Sequence, residues 1–408
     1  MRHDDHFAAE LARLEAAGLR RTLRPIDGPQ DARVTIDGRT VLCLSSNNYL
    51  GLANHPEVIE AAIAAARDFG VGSGASRLIS GSMRVHHDLE TRLAAFKRAE
   101  AALLFTSGYH ANLGVIGALV GPGDTVFSDA LNHASLIDGC RLSRAAVQVY
   151  PHNDLAALGE RLATVPARRR LIVTDSIFSM DGDAVPLAAL CALAERHDAM
   201  LMVDEAHATG VVGPHGAGLV DALGLQAAVT VQMGTLGKAL GTFGAYVAGS
   251  RALIDLLVNR ARTQVFTTAL PPPIVAAAAA ALHIVEREPA RRTATRRNAA
   301  RLRAGLRGLG FVVPGEDDSH ILPVMIGDAE ATMALSAALL DAGAFAHGIR
   351  PPTVPDGTAR LRVTVMATHT EADVDAAIAA FAAVRRPLEG AAPPRHIRYG
   401  AAEPRPPR

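Results

Sequence analysis

Lys238 lies in Gly234-Thr235-Leu236-Gly237-Lys238-Ala239-Leu240-Gly241, a single amine among small residues that follow an apolar run. An amine in a confined, partly desolvated pocket gives up its charge readily and can form a Schiff base with an aldehyde. About thirty residues earlier, Leu201-Met202-Val203-Asp204-Glu205-Ala206-His207 is an apolar run that ends abruptly in acids and a histidine. A carboxylate at such a strand end can keep a pyridine nitrogen protonated, and the cationic ring is then an electron sink for a carbanion. Each motif also has an ordinary reading. A lone lysine in a glycine-rich loop is commonly a surface residue, and Asp204 is open to service as a helix cap or a structural ion pair. A metal held by Asp204 and His207 lacks a third ligand at a familiar spacing. The order and separation of the two motifs strengthen the chemical reading of both.

Three further strand ends carry polar residues. Phe105-Thr106-Ser107-Gly108-Tyr109-His110-Ala111-Asn112 passes from a strand into a helix, and the free N–H groups of a helix start suit a phosphate. This makes Ser107, Gly108 and Tyr109 candidates, with Tyr109 equally open to a core role. His133, in Ser128-Asp129-Ala130-Leu131-Asn132-His133-Ala134-Ser135, is placed either to lie flat against an aromatic cofactor or to serve as a satisfied polar group. Asp175–Asp183, DSIFSMDGD, brings Ser179 to the same sheet edge. The glycine run Gly70-Val71-Gly72-Ser73-Gly74 follows a helical pattern rather than a strand, so it lacks the context of a dinucleotide loop.

These side chains need an α/β scaffold, and the hydrophobic pattern predicts one. Short apolar runs at Ala102–Phe105, Thr125–Phe127, Val147–Tyr150, Leu171–Thr174, Leu201–Val203 and Val229–Gln232 alternate with helical patterns from Ala53 to Ala248. Such runs read as buried, mostly parallel strands with crossover helices. Asp5–Arg21 has helical spacing, and Val34–Ile36, Asp37-Gly38 and Val41–Leu44 read as a hairpin. Helices are predicted at Arg251–Arg260 and Pro273–Glu288. A smaller α/β unit follows, with strands near Ile321–Ile326, Ala344–Ile349 and Leu361–Val365 and helices near Ala329–Ala342 and Glu371–Arg385. The predicted organisation is an N-terminal arm over residues 1–45, a large domain over 46–285, a small C-terminal domain over 286–387 and a Pro/Arg-rich tail over 388–408.

Composition limits the function classes. A chain of 408 residues with 49% hydrophobic residues can bury a large core. With 41 basic and 41 acidic residues, no bulk field favours nucleic acid or an anionic membrane, so any anion site must be local. The N-terminal segment does not read as a secretory signal, and Ile274–Val285 is too short to span a bilayer. Cys43, Cys140 and Cys191 are far apart and lack the spacing of a zinc or redox site. They read as buried small hydrophobes in a protein of the cytosol.

The segments SNNYLGL, GSGASRLISG, SGYHANLGV, NHASLIDG, FSMDGD, VDEAHATG, GTLGKALG and TALPPP together resemble the α-oxoamine synthase family of fold-type I pyridoxal-phosphate enzymes. The resemblance runs from about Leu44 to about Val384. It implies a large domain built on a mostly parallel seven-stranded sheet, a smaller C-terminal α/β domain, and acyltransferase activity dependent on pyridoxal 5'-phosphate. Carried onto matching positions, it implies that Lys238 bonds the cofactor aldehyde, Asp204 pairs with the ring nitrogen and His207 contacts the ring hydroxyl. It further implies that His133 stacks on the ring beside the substrate, that Ser179 helps to orient it, and that Ser107, Gly108, Tyr109 and Thr235 surround the cofactor. Arg362 matches the residue that receives the amino-acid carboxylate, a role suited to a guanidinium fork. Asn47, Arg21 and Thr353 match substrate-contacting positions. Thr268, in Phe266-Thr267-Thr268-Ala269-Leu270-Pro271-Pro272, matches a segment that crosses between subunits to the partner's cofactor phosphate, so a homodimer with shared sites is expected; a helix cap is its ordinary reading. Tyr150–Asp154 and Ile349–Arg362 lie nearest to family members that condense L-alanine with a pimeloyl thioester, carried by coenzyme A or a carrier protein. Glycine-using members, such as 2-amino-3-ketobutyrate ligases and 5-aminolevulinate synthases, share most other motifs. A non-catalytic subunit on the same fold has no need of Lys238. Two features depart from the family pattern: His110, where a small or apolar residue is expected, and the tail after Leu388.

Overall fold

The computed structural model describes residues 3–317 and 319–385; the tail expected after Leu388 lies outside the described residues. Helix α1 (His3–Ala16) is followed by a hairpin of β1 (Arg33–Ile36) and β2 (Arg39–Cys43). Helices α2 (Pro56–Phe69) and α3 (Arg84–Phe96) precede an alternating run. It comprises β3 (Ala101–Phe105), α4 (Gly108–Leu119), β4 (Thr125–Asp129), α5 (Ala134–Ser143), β5 (Ala146–Tyr150) and α6 (Leu155–Thr164). It continues with β6 (Arg170–Asp175), α7 (Leu187–Arg196), β7 (Ala199–Asp204), the single turn α8 (Leu219–Ala222), β8 (Val231–Thr235) and β9 (Ala245–Gly249). Then come α9 (Arg251–Arg260), α10 (Arg262–Val265), α11 (Pro272–Arg287) and α12 (Pro289–Gly308). The last elements are β10 (Ile321–Gly327), α13 (Ala329–Asp341), β11 (Ala344–Phe345), β12 (His347–Ile349), β13 (Ala359–Thr364) and α14 (Glu371–Val384).

The central sheet has seven strands in the order β3-β9-β8-β7-β6-β4-β5. Only β9 runs against its neighbours β3 and β8; the other pairings are parallel. The strands read as continuous apolar runs because both faces are covered. Leu103, Phe105, Leu171, Val173, Met202, Val231 and Val247 face the layer of α4, α5 and α9. On the opposite face, Leu104 and Tyr246 pack with α3 and α11, while Ile172, Leu201 and Val203 pack with α6 and α7. In-register pairing sets Asp175 beside Asp204 at the carboxyl ends of β6 and β7. This edge is where an open α/β sheet binds ligands.

The sequence reading missed or misplaced several elements. Strand β9 was not singled out, because AYVAG is short and directly follows a glycine-rich loop. Helix α12 was also missed: its buried stripe, Arg292, Thr295, Asn298, Ala299, Leu302, Arg303 and Leu306, is polar over its first half and shows no apolar period. Strand β8 begins at Val231, two residues beyond the predicted Val229. Helix α1 stops at Ala16 instead of reaching Arg21, and just beyond it Gly18 takes a left-handed φ of 64°, a conformation that suits glycine after a helix end. The strand expected near Ala344–Ile349 divides between two sheets. Its first part pairs parallel with β2, and its second part pairs antiparallel with β13. The β1-β2 hairpin therefore continues into β11, and Leu42 and Leu44 enter the hydrophobic layer under α12, α13 and α14.

Candidate active site

Strand β7 carries Asp204 to the buried sheet edge, where its neighbours hold it in place. Asp204 accepts hydrogen bonds from Asn112 Nδ2 and from the Ala206 amide, each at 2.8 Å. Asn112 Nδ2 also donates to Ser135 Oγ at 2.8 Å, and that hydroxyl lies 2.7 Å from His133 Nδ1. Helices α4 and α5 thus link His133 to Asp204 through two polar side chains. Asp175 accepts the His133 amide at 2.9 Å. Burial and the charge of Asp204 hold the Asp175 carboxyl well above the usual carboxylate range.

Lys238 follows β8 and points its Nζ at His207 Nε2, 2.8 Å away. Burial lowers its pKa to about 8, against the opposing pull of Asp204. Burial, with Lys238 and Arg362 close by, keeps His207 neutral by pushing its pKa well below the ordinary value. His207 Nδ1 lies 2.8 Å from Tyr49 Oη, which donates to Asn47 Oδ1 at 2.9 Å. With that hydroxyl proton spent on Asn47, Nδ1 carries the imidazole proton and Nε2 is left as the acceptor for Lys238. Tyr49 is fully buried, its ring edge-on to His320 at 4.3 Å, and burial with Arg362 nearby drops the His320 pKa to about 3.

Strand β13 adds Arg362 from the far end of the chain. Its Nη1 donates to Asn47 Oδ1 at 3.0 Å, its Nη2 to Tyr49 Oη at 3.3 Å and its Nε to the Ser179 carbonyl at 2.6 Å. Two connected cavities meet at Lys238. The smaller, about 160 Å³, is lined by Gly108, Tyr109, His133, Asp175, Asp204 and Thr235 among others. The larger, about 410 Å³, is lined by Asn47, Ser179, His347 and Arg362 among others, and shares His133, His207 and Lys238 with the first.

Most residues singled out in the sequence converge here: Asn47, Gly108, Tyr109, His133, Ser179, Asp204, His207, Thr235, Lys238 and Arg362 all line one cavity or both. Tyr109 is not core; it is largely exposed and donates to Asp138 at 2.6 Å. Ser107 lies outside both linings, and its hydroxyl caps α4 by accepting the His110 amide at 3.2 Å. Thr235 Oγ1 donates to the Gly244 carbonyl at 3.0 Å, bracing the lysine loop. Arg21 and Thr353 meet each other at 3.5 Å, on exposed surface, without entering either lining. Thr268 is exposed and lines a separate small recess with Arg77 and Gln264, one whose lining does not include Lys238. His110 is exposed beside Thr106, 2.7 Å away, and takes no part in the cavities. Residue reading gave no role to Asn112, Ser135, Asp175, Tyr49 or His320. For Asn112 a signal existed, because it is a polar residue on the otherwise apolar buried face of α4.

Residues 39–381 match the class I and II aminotransferase family, and the chain belongs to that family. Among curated relatives, an 8-amino-7-oxononanoate synthase from Anaeromyxobacter dehalogenans (strain 2CP-1 / ATCC BAA-258) is 58% identical over 96% of this chain and 98% of its own. A serine palmitoyltransferase from S. paucimobilis, solved with a PLP–myriocin aldimine, has a TM-score of 0.89 at 33% identity, covering 94% of this chain and 98% of its own. An 8-amino-7-oxononanoate synthase from Francisella tularensis has a TM-score of 0.74 at 26% identity, covering 86% and 99%.

Proposed function

We propose that this protein acts as an 8-amino-7-oxononanoate synthase of biotin biosynthesis: it is a pyridoxal-phosphate acyltransferase that joins L-alanine to a pimeloyl thioester with loss of carbon dioxide. The observation that carries the reading is the shared cavity wall, on which the Lys238 amine, neutral His207 and the Arg362 guanidinium meet. The donor set fits the cofactor. Asp204 is buried, yet its two hydrogen-bond donors are neutral amides, which leaves its charge to be matched by a cationic ring nitrogen. Gly108 presents bare backbone to the smaller cavity, where a Cβ would stand in contact with Met233 Cε at 3.5 Å.

When bound, pyridoxal phosphate supplies an aldehyde for amines and a pyridinium ring that withdraws electrons from the substrate Cα. Arg362 receives the alanine carboxylate and so sets the amino acid against Lys238. With a pKa of about 8, Nζ of Lys238 exists in both protonation states near neutral pH and can take a proton from Cα and return one. His207, neutral with Nε2 as acceptor, keeps Nζ aimed into the cavity. The new bond joins the alanine Cα to the thioester carbonyl carbon, the thiolate leaves, and the carboxylate departs as carbon dioxide.

A homodimer with shared sites and a cytosolic location belong to the same reading. The dimer is supported by the exposed position of Thr268 in a recess that its own Lys238 does not line. The buried, unpaired state of all three cysteines supports the cytosol. The test is an assay of purified protein with L-alanine or glycine against pimeloyl-CoA, pimeloyl-carrier protein, acetyl-CoA and succinyl-CoA, with products identified by mass. The expected product is 8-amino-7-oxononanoate from L-alanine with a pimeloyl donor. Turnover confined to glycine with acetyl-CoA or succinyl-CoA would assign a glycine-using relative instead.

A further inference from the structure

His152 stands just outside the cavities, between two carboxylates. Its Nδ1 lies 3.0 Å from Asp129 Oδ1, at the end of β4, and its Nε2 lies 2.8 Å from Asp183 Oδ2, in the loop after β6. The side chains of His152 and Asp129 are almost wholly buried, and that of Asp183 is 33% exposed. The neighbouring Asn153, in a left-handed conformation with φ 54°, repeats the bridge: its amide donates to Asp129 Oδ2 at 2.9 Å and its Nδ2 to Asp183 Oδ2 at 3.1 Å. The ring of Phe178 meets the imidazole edge-on at 4.4 Å. Asp129 from β4 and Asp183 from the loop face the ring with their carboxylates; Asn153 and Phe178 are uncharged. Burial alone would lower the His152 pKa, but the two carboxylates outweigh it and raise it to about 10.

The loop that His152 anchors is the one that shapes the amino-acid end of the site. Ser179 and Met180 line the larger cavity, and the Ser179 carbonyl accepts Arg362 Nε at 2.6 Å. The far side of the same loop is tied to Arg360 through Asp181 and to Ser319, whose hydroxyl donates to the Gly182 carbonyl at 2.7 Å. The loop therefore bridges the large sheet and strand β13, and His152 is its attachment on the sheet side.

We propose that His152 is a positioning residue for the amino-acid subsite: by bridging Asp129 and Asp183 it holds the 176–183 loop where Ser179 lines the cavity and its carbonyl aims Arg362 at the substrate carboxylate. This rests on the assignment of Arg362 to that carboxylate under the proposed function. His152 touches neither the substrate nor the reacting atoms; it acts through the loop.

The experiment compares the holoenzyme with its His152→Gln and Asp183→Asn variants. Equilibrium affinity for the amino acid is read from the cofactor absorption spectrum, alongside kcat, the amino-acid KM and the thioester KM. In His152→Gln the amino-acid KM and dissociation constant should rise about tenfold or more, as when a binding group is displaced by a distant change, while the thioester KM holds within twofold. Asp183→Asn keeps the ring but removes one of its two carboxylates, so the imidazolium should be lost at a lower pH. Its amino-acid affinity relative to the parent should then fall between about pH 7 and about pH 9. This variant also decides the matter if His152→Gln does not fold. An unchanged amino-acid affinity in both variants, or an equal loss for amino acid and thioester, would overturn the positioning role. A parent that binds neither alanine nor glycine overturns the functional reading itself, and that result is distinct because it appears before any substitution.

Discussion

At the residue scale, the proposed chemistry rests on one amine, Lys238, and one carboxylate, Asp204. Lys238 is half-buried, and a lysine whose folded pKa is depressed opposes folding while it is charged. Between its folded value of about 8 and its unfolded value near 10.5 the unfolded chain binds more protons, so stability rises with pH in that window. Lys238→Met should therefore melt higher than the parent apoprotein at pH 7, by about 2 kcal/mol after discounting for solvent screening, and the advantage should shrink by pH 10. The same variant should lose the borohydride-reducible bond to pyridoxal phosphate that the parent forms; a persisting bond would move the assignment to another lysine. Asp204→Asn keeps one of the two acceptors: its single amide oxygen can accept from Asn112 or from Ala206, while its Nδ2 faces the other donor, so the variant should fold with reduced stability. It should lose about 100- to 1,000-fold in kcat, because no charge remains to match the ring nitrogen. Near-normal turnover would remove Asp204 from that role.

At the element scale, α12 shows how a polar stripe can be a packing surface. Asn298 is buried, and its Nδ2 donates to the carbonyls of Met366 and His369 at 3.0 and 2.8 Å. Arg292 caps the end of α11 through the Val285 carbonyl at 2.5 Å and reaches the Pro214 carbonyl at 2.7 Å. The Met366 carbonyl also accepts the His369 amide at 3.2 Å, so a leucine at position 298 would cost chiefly the bond that Asn298 gives the His369 carbonyl. Asn298→Leu should accordingly lower stability by about 1–3 kcal/mol, as measured by denaturant unfolding. A neutral or stabilising result would mean that packing outweighs the two hydrogen bonds. The division of Ala344–Ile349 between two sheets has a comparable cause. The segment reads as one strand, but pairing partners from β2 and β13 divide it into Ala344–Phe345 and His347–Ile349.

At the scale of the whole molecule, the expected sharing of sites between two subunits can be read by complementation. Lys238→Ala removes the amine from its own chain's site, whereas Thr268→Val should damage the partner's site. Mixed dimers should recover part of the parent activity, because one site then carries both lesions and the other carries none. Failure to recover despite demonstrated mixed dimers, with Thr268→Val alone severely impaired, would place Thr268 in its own chain's chemistry. The sequence by itself determined the chemical groups and their strand ends for Lys238 after β8, Asp204 and His207 at and beyond the end of β7, and His133 after β4, whereas Arg362, inside antiparallel β13, was marked only by the family resemblance. It could do so because a buried parallel strand is a continuous apolar run, and a polar residue where the run stops is visible without knowing any neighbour. Only the tertiary structure decided that Asn112, Ser135 and Asp175 brace Asp204 and His133, that Tyr49 sets the tautomer of His207, and that Asn47 and Arg362, 315 residues apart, share a hydrogen bond. Those contacts join side chains from different elements. Their strength comes from distances of about 3 Å in a desolvated site, a quantity that local periodicity does not encode.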